Sequence, residues 1–197
     1  MSIVDKVIAA VTPPESDNSR REARIKALAQ ATPGDWLSMA LDHHQKIEAA
    51  FAAVKGAGNA AAQLGAQKAL AALLTGHAVA EEAVLYPALA DAGEKGPATK
   101  AYTEQSAAKL QMGLLEKLQP LSQEYLDKLE HIRGAVAHHV YEEENNWFLD
   151  IKNKVSAPEQ DRLTARYLEE FSRYMGNSAE ISALSPKTSP ASAQMSR

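Results

Sequence analysis

Two stretches of this chain are copies of one another. HAVAEEAVLYPAL begins at residue 77 and HHVYEEENNWF at residue 138. Superimposed with a 62-residue offset, His77 falls on His139, Glu81 on Glu143, Glu82 on Glu144 and Tyr86 on Phe148. Each copy sets a histidine and a glutamate four residues apart, so on a helix both side chains leave the same face, one turn apart. Leu70, Leu73, Leu74 and Val84 flank His77 at helical spacing, and Ile132, Val136 and Val140 flank His139. One such pair on a wet surface is an ordinary ion pair worth ~0.3 kcal/mol. Two of them on apolar stripes must find partners, because a charge removed from water is costly unless paired or bound to a metal. Two stripes face to face bring His77, Glu81, His139 and Glu143 to one point, which predicts a metal site. Glu82 and Glu144 lie about 100° further round the helix and are expected to face solvent or to support the ligands from behind.

The rest of the chain reads as helix around that point. Its 197 residues are alanine-rich with few aromatics, enough for one domain with extensions. A net charge of −4, with no basic block, argues against nucleic acid as a partner. The absence of cysteine excludes disulfides and thiolate ligands and fits a reducing compartment. No apolar run approaches the ~20 residues of a membrane span, and MSIVDKVIAAV is too short and too charged for a signal core. A soluble, cytoplasmic protein without a membrane partner is expected.

Residues 3 to 11 align Ile3, Val4, Val7, Ile8 and Val11, a short amphipathic helix that should dock on something. Pro13 and Pro14 end it, and a charged helix follows, ending before Pro33. From Trp36 a stripe of Leu37, Leu41, His44, Ile47 and Phe51 runs to the Gly56 break; His44 lies in line with it and His43 towards the polar side. A one-residue change of register would exchange the two. The second helix runs from about Asn59 to Ala90, with Pro87 kinking or ending it. The third spans about Pro97 to Gln119 and the fourth about Gln123 to Asn153, with Ser122 as N-cap. Ser156 and Glu159 have capping-box spacing before a fifth helix that reaches about Met175. Residues 176 to 197 lack periodicity and read as a disordered tail. The predicted fold class is all-α: an up-down-up-down four-helix bundle over residues 34 to 175, with an N-terminal helical extension over 1 to 33 and an added C-terminal helix.

LDHHQKIEAAF together with the two repeated segments resembles the hemerythrin-like HHE cation-binding domains over about residues 35 to 153. The resemblance implies a four-helix bundle with a non-haem di-iron centre. His44, His77 and His139 would be terminal ligands, and Glu81 and Glu143 would bridge the metals. It also implies a small diatomic ligand or oxidant as partner, dioxygen or nitric oxide, or a role in sensing iron or redox state. One departure stands out: where the family's third helix carries Glu-His, this chain has Glu104-Gln105. A glutamine oxygen is a weaker donor than imidazole, so Gln105, a rotated Glu104 or solvent is left to complete the set, with a solvated or paired Glu104 as the plain alternative. One metal, or zinc or manganese, is the alternative to di-iron. Turnover of peroxide or nitric oxide, and a metal-free structural bundle, are the competing functions.

Overall fold

The computed structural model describes residues 15 to 176. The amphipathic helix predicted over residues 3 to 11 and the tail predicted beyond Gly176 lie outside the described residues. Within them the structure is helical, with no strand.

Helix α1 is Asp17–Leu28, α2 is Trp36–Lys55 and α3 is Ala60–Ala80. A π-helical turn, Glu81–Leu85, continues α3 without a break into α4, Tyr86–Asp91. Helix α5 is Lys95–Leu115 and α6 is Gln123–Glu142. A second π turn, Glu143–Trp147, joins α6 to α7, Phe148–Lys154, and α8 is Ala157–Met175.

Side-chain caps start half of these helices by accepting a hydrogen bond from an otherwise unpaired backbone N–H. Asp35 accepts from Ser38 N–H, Asn59 from Ala62 N–H and Ser122 from Tyr125 N–H. Ser156 differs from expectation. Its side chain makes no capping bond, and the first turn of α8 instead holds Pro158, whose missing N–H costs nothing there. Pro87 does not end the helix, which is expected to reach about Ala90. It sits in the first turn of α4, just after the π turn, so the helix runs on to Asp91. The chain then reverses at Gly93, whose φ of 97° is a left-handed value that suits glycine.

Packing joins α2 to α3, α5 to α6, α3 to α5 and α2 to α6. Helix α8 lies on α2, α3 and the first π turn, while α1 lies on the second π turn, α2 and α6. Gly76 permits the end of α8 to approach, since a Cβ there would meet the Met175 side chain at 2.9 Å. The run Ala60–Asp91 is long and apolar enough to cross a bilayer by length and composition, contrary to the expectation from apolar runs alone. Half of its apolar window is nevertheless buried against the other helices, as suits a core helix.

The apolar interior forms two clusters. One gathers Trp36, Leu41, Leu85, Leu89, Phe148 and Ile151, and the other Ile47, Phe51, Leu70, Leu115, Tyr125 and Ile132. On α2 the boundary falls between Leu41 and Ile47, on the α3 run between Leu70 and Ala80, and on the α6 run between Val140 and Trp147. His44 and His77 lie within the first two boundaries and Glu143 within the third, with His139 just before it, so the polar cluster occupies the seam between two dry layers.

Candidate metal centre

Four buried residues converge at the seam. Ligand atoms of His44, His77, Glu81 and Glu143 all lie within 4.8 Å of one another. His44 Nε2 is 3.2 Å from Glu143 Oε2 and 3.8 Å from Glu81 Oε1, and His77 Nε2 is 3.2 Å from the same Glu81 oxygen. His44 Nε2, Glu81 Oε1 and Glu143 Oε2 are buried and have no hydrogen-bond partner among the described residues. Orphaned buried polar atoms are rare, and three aimed at one point fit a cation.

The other oxygen of each carboxylate faces a second lobe. Glu143 Oε1 is 3.2 Å from His139 Nε2, and Glu81 Oε2 accepts from Gln105 Nε2 at 2.6 Å. Between them lies the Tyr86 hydroxyl, 2.9 Å from Glu143 Oε1, 3.3 Å from Glu81 Oε2 and 3.0 Å from His139 Nε2, with Gln105 Nε2 at 2.5 Å. A hydroxyl has one proton to give, so it cannot satisfy both carboxylates at once. Each glutamate therefore divides its two oxygens between two adjacent lobes.

The π turns create this arrangement. They begin at Glu81 and Glu143, and the N–H groups of Tyr86 and Phe148 bond back to those residues' carbonyls. An i→i+5 turn holds one extra residue, which brings position i+5 back over position i. Tyr86 is thereby carried onto the face of Glu81, whereas on an α-helix it would point about 140° away. Phe148, its counterpart, stacks on His44 with centroids 5.8 Å apart.

Each inward histidine is held from outside through Nδ1, which leaves Nε2 to face the cluster. His44 Nδ1 bonds Glu144 Oε1 at 2.8 Å, and Arg24 clamps that carboxylate through Nε at 2.9 Å and Nη2 at 2.7 Å. His139 Nδ1 bonds Glu104 Oε2 at 2.9 Å, and His77 Nδ1 bonds the Tyr167 hydroxyl at 3.1 Å.

Burial disfavours charge throughout, and neighbours decide where it settles. Burial works against protonating His44 and His139, but the carboxylates around them outweigh it and raise both, His139 to about 10. Burial, together with the nearby His44 and His43, holds His77 well below its ordinary value. Burial and the Glu143 charge raise Glu81, whereas His139 and His44 overcome burial and lower Glu143. Burial beside the two glutamates pushes the Tyr86 phenol well above 10. Without a metal the cluster retains protons that a cation would displace.

The sequence model of the hemerythrin HHE cation-binding domain matches residues 37–149. The chain belongs to this hemerythrin family. A DNA nickase of Nostoc sp. (strain PCC 7120) is 31% identical over 94 residues, covering 48% of this chain. That stretch is only 27% of the relative's own length. No solved structure matches the chain.

Against the hemerythrin-like expectation, His44, His77, Glu81 and Glu143 meet at one lobe, and His139 and Gln105 line the other. Gln105 is the inward residue of the third bundle helix, and its Oε1 is buried without a partner. Glu104 lies outside the cluster, in contact with His139 rather than with either lobe. Of the glutamates following each copy, Glu82 is on the surface with Lys109, while Glu144 supports His44 from behind. His43 does not face a polar side. It is buried under α8, bonded to the Tyr167 hydroxyl at 3.0 Å and stacked on Phe171. Tyr86 and Tyr167 are contributors that the α-helical reading missed. For Tyr86 the available signal was its fixed distance from Glu81; for Tyr167 the sequence offers none.

Proposed function

We propose that this hemerythrin-family chain holds a carboxylate-bridged pair of non-haem iron ions and binds or senses a small oxidant such as dioxygen or nitric oxide. The observation that carries the reading is the division of the Glu81 and Glu143 oxygens between two lobes, each with its own imidazole. The frame is an up-down-up-down bundle of α2, α3, α5 and α6. His44 and His77 would hold one ion, His139 and Tyr86 the other, and Glu81 and Glu143 would span both. Half a turn of the Gln105 amide would present Oε1 to the second lobe. Imidazole with carboxylate and phenolate oxygen is a donor set that suits iron, with zinc or manganese as competitors.

Bound iron supplies open coordination positions and redox capacity. The chain's own part is to orient the imidazoles through Glu144, Glu104 and Tyr167 and to hold the site between two apolar layers. A cytoplasmic setting suits a thiol-free site. The nickase likeness does not extend the proposal to DNA, since it covers about a quarter of that protein and this chain carries a net charge of −4.

A one-metal reading has one observation in its favour. The Tyr86 hydroxyl and Gln105 amide already fill the second lobe with hydrogen bonds. Metal analysis of protein from iron-sufficient cells separates the two: two irons per chain support the pair, and one supports the single site. Visible absorption that shifts on adding nitric oxide supports the ligand class. Protein that takes up no iron, and shows no such change after reconstitution, refutes both.

A further inference from the structure

Two imidazoles compete for one hydroxyl beneath α8. The Tyr167 oxygen lies 3.0 Å from Nδ1 of His43 and 3.1 Å from Nδ1 of His77. A neutral hydroxyl has a single proton, so it donates to one ring and can bond the other only by accepting. One of the two histidines therefore carries its proton on Nδ1 and the other does not. Nothing nearby relieves the choice. Tyr167 is fully buried, its hydroxyl has no third hydrogen-bond partner among the described residues, and Phe171 covers His43 with ring centroids 3.9 Å apart. His43 is 6% exposed and makes no ion pair among the described residues, and an unpaired buried cation is costly, so the ring is neutral.

Two networks satisfy these contacts, and they treat the metal centre in opposite ways. In the first, Nδ1–H of His77 donates to Tyr167, and the Tyr167 hydroxyl donates to Nδ1 of His43. His77 Nε2 then carries a free lone pair beside Glu81 Oε1, 3.2 Å away, where a cation would sit. In the second, Nδ1–H of His43 donates to Tyr167, and Tyr167 donates to Nδ1 of His77. The proton of His77 is then on Nε2 and points into the lobe, which blocks ligation. The bond made by one ring nitrogen thus decides what the other can do.

Taking His77 as a metal ligand, we propose that His43 is a positioning residue of the metal centre: it accepts the Tyr167 proton at Nδ1 and so fixes His77 in the tautomer whose Nε2 is free to bind. Consecutive residues on a helix leave it about 100° apart, so α2 sends His44 into the cluster and His43 under α8. The two neighbours serve one lobe from different sides, His44 directly and His43 through Tyr167 and His77.

Asn and Leu have nearly the same shape, and of the two only Asn offers an acceptor near the place of Nδ1. Retention of ferrous iron against a chelator is measured on the full chain at equal helicity. His43→Leu should weaken it about 10- to 100-fold, because the Tyr167 proton is left with His77 Nδ1 alone and imposes the wrong tautomer. His43→Asn should stay close to wild type. Adding Tyr167→Phe to His43→Leu should recover part of the loss by removing the misdirected proton, whereas losses from two packing defects would add. Nitrogen-15 NMR of the zinc-loaded chain, zinc being diamagnetic, should find His43 protonated on Nε2 and bare on Nδ1, and this result decides alone if His43→Leu does not fold. Protonation of His43 on Nδ1 in that sample would overturn the proposal. So would wild-type iron retention in His43→Leu, equal loss in the Leu and Asn variants, or additive losses in the double variant. A wild-type chain that takes up neither iron nor zinc would instead refute His77 as a ligand, and the role of His43 with it.

Discussion

The Tyr86 hydroxyl lies 2.9 Å from Glu143 Oε1, a contact across 57 residues that joins the two copies of one motif. Its partner position in the second copy is Phe148, which has no hydroxyl to offer. The duplicated halves therefore contribute unequally: one lobe is lined by two imidazoles, the other by one imidazole, a phenol and an amide.

Tyr86→Phe tests that inequality. If the phenol is a ligand, the variant loses its strongest visible absorption band and falls towards one metal per chain. The aromatic ring is retained, so the packing of the buried layer should survive. Absorption spectra and metal analysis of both proteins decide it, and an unchanged spectrum at two metals per chain would remove Tyr86 from the ligand set.

The four glutamates of the two copies should rank by position. Glu81→Ala and Glu143→Ala each remove an oxygen from both lobes and should abolish stable metal binding. Glu144→Ala leaves every ligand in place but frees His44 and leaves Arg24 without its buried partner, so affinity should fall about 10- to 100-fold. Glu82→Ala, at the surface beside Lys109, should change nothing. Chelator competition across the four variants gives the order.

Tyr167→Phe should weaken metal binding by roughly tenfold without unfolding α8, because the hydroxyl orients His77 through Nδ1. Melting temperature and chelator release, measured together, separate this from a packing defect. Unchanged release would mean that Tyr167 does not position the ligand.

Gln105→His supplies the imidazole that the third helix lacks. Its nitrogen would enter the lobe now occupied by the Gln105 amide, and imidazole is the stronger donor for iron. Iron per chain should rise, or release to a chelator should slow. Glu104→Ala, measured alongside, should weaken retention only through the loss of its bond to His139.

Asp35 links pH to stability away from the metal. Burial tends to raise its carboxyl, but Lys152 and the N–H groups of Ser38 and Thr32 outweigh this and hold it below its ordinary value. Its contribution is therefore complete above the unfolded value of about 3.9 and is lost as pH falls through the lower folded value. Asp35→Ala should cost about 1 kcal/mol of cap energy at neutral pH. Denaturant titrations at neutral pH and below pH 4 should show the variant converging on wild type in acid; a constant gap would refute the linkage.

The sequence by itself determined the helices, their breaks and the His–Glu spacing, because these depend on local periodicity and on caps such as Asp35, Asn59 and Ser122. It also identified His77–Glu81 and His139–Glu143, since a four-residue spacing aligns two side chains wherever a helix forms. Only the tertiary structure decided what surrounds them. Helix α8 returns over α2 and α3 to bury His43 and bring Tyr167 to His77, a meeting of residues 90 apart with no local signature. The two π turns add a residue where regular α-helix geometry was assumed, so Tyr86 rotates into the centre. On α5 the bundle turns Gln105 inward and leaves Glu104 to grip His139 from outside. Periodicity tells which residues share a face; the rotation of that face relative to its neighbours is set by packing, and packing is not written in any one helix.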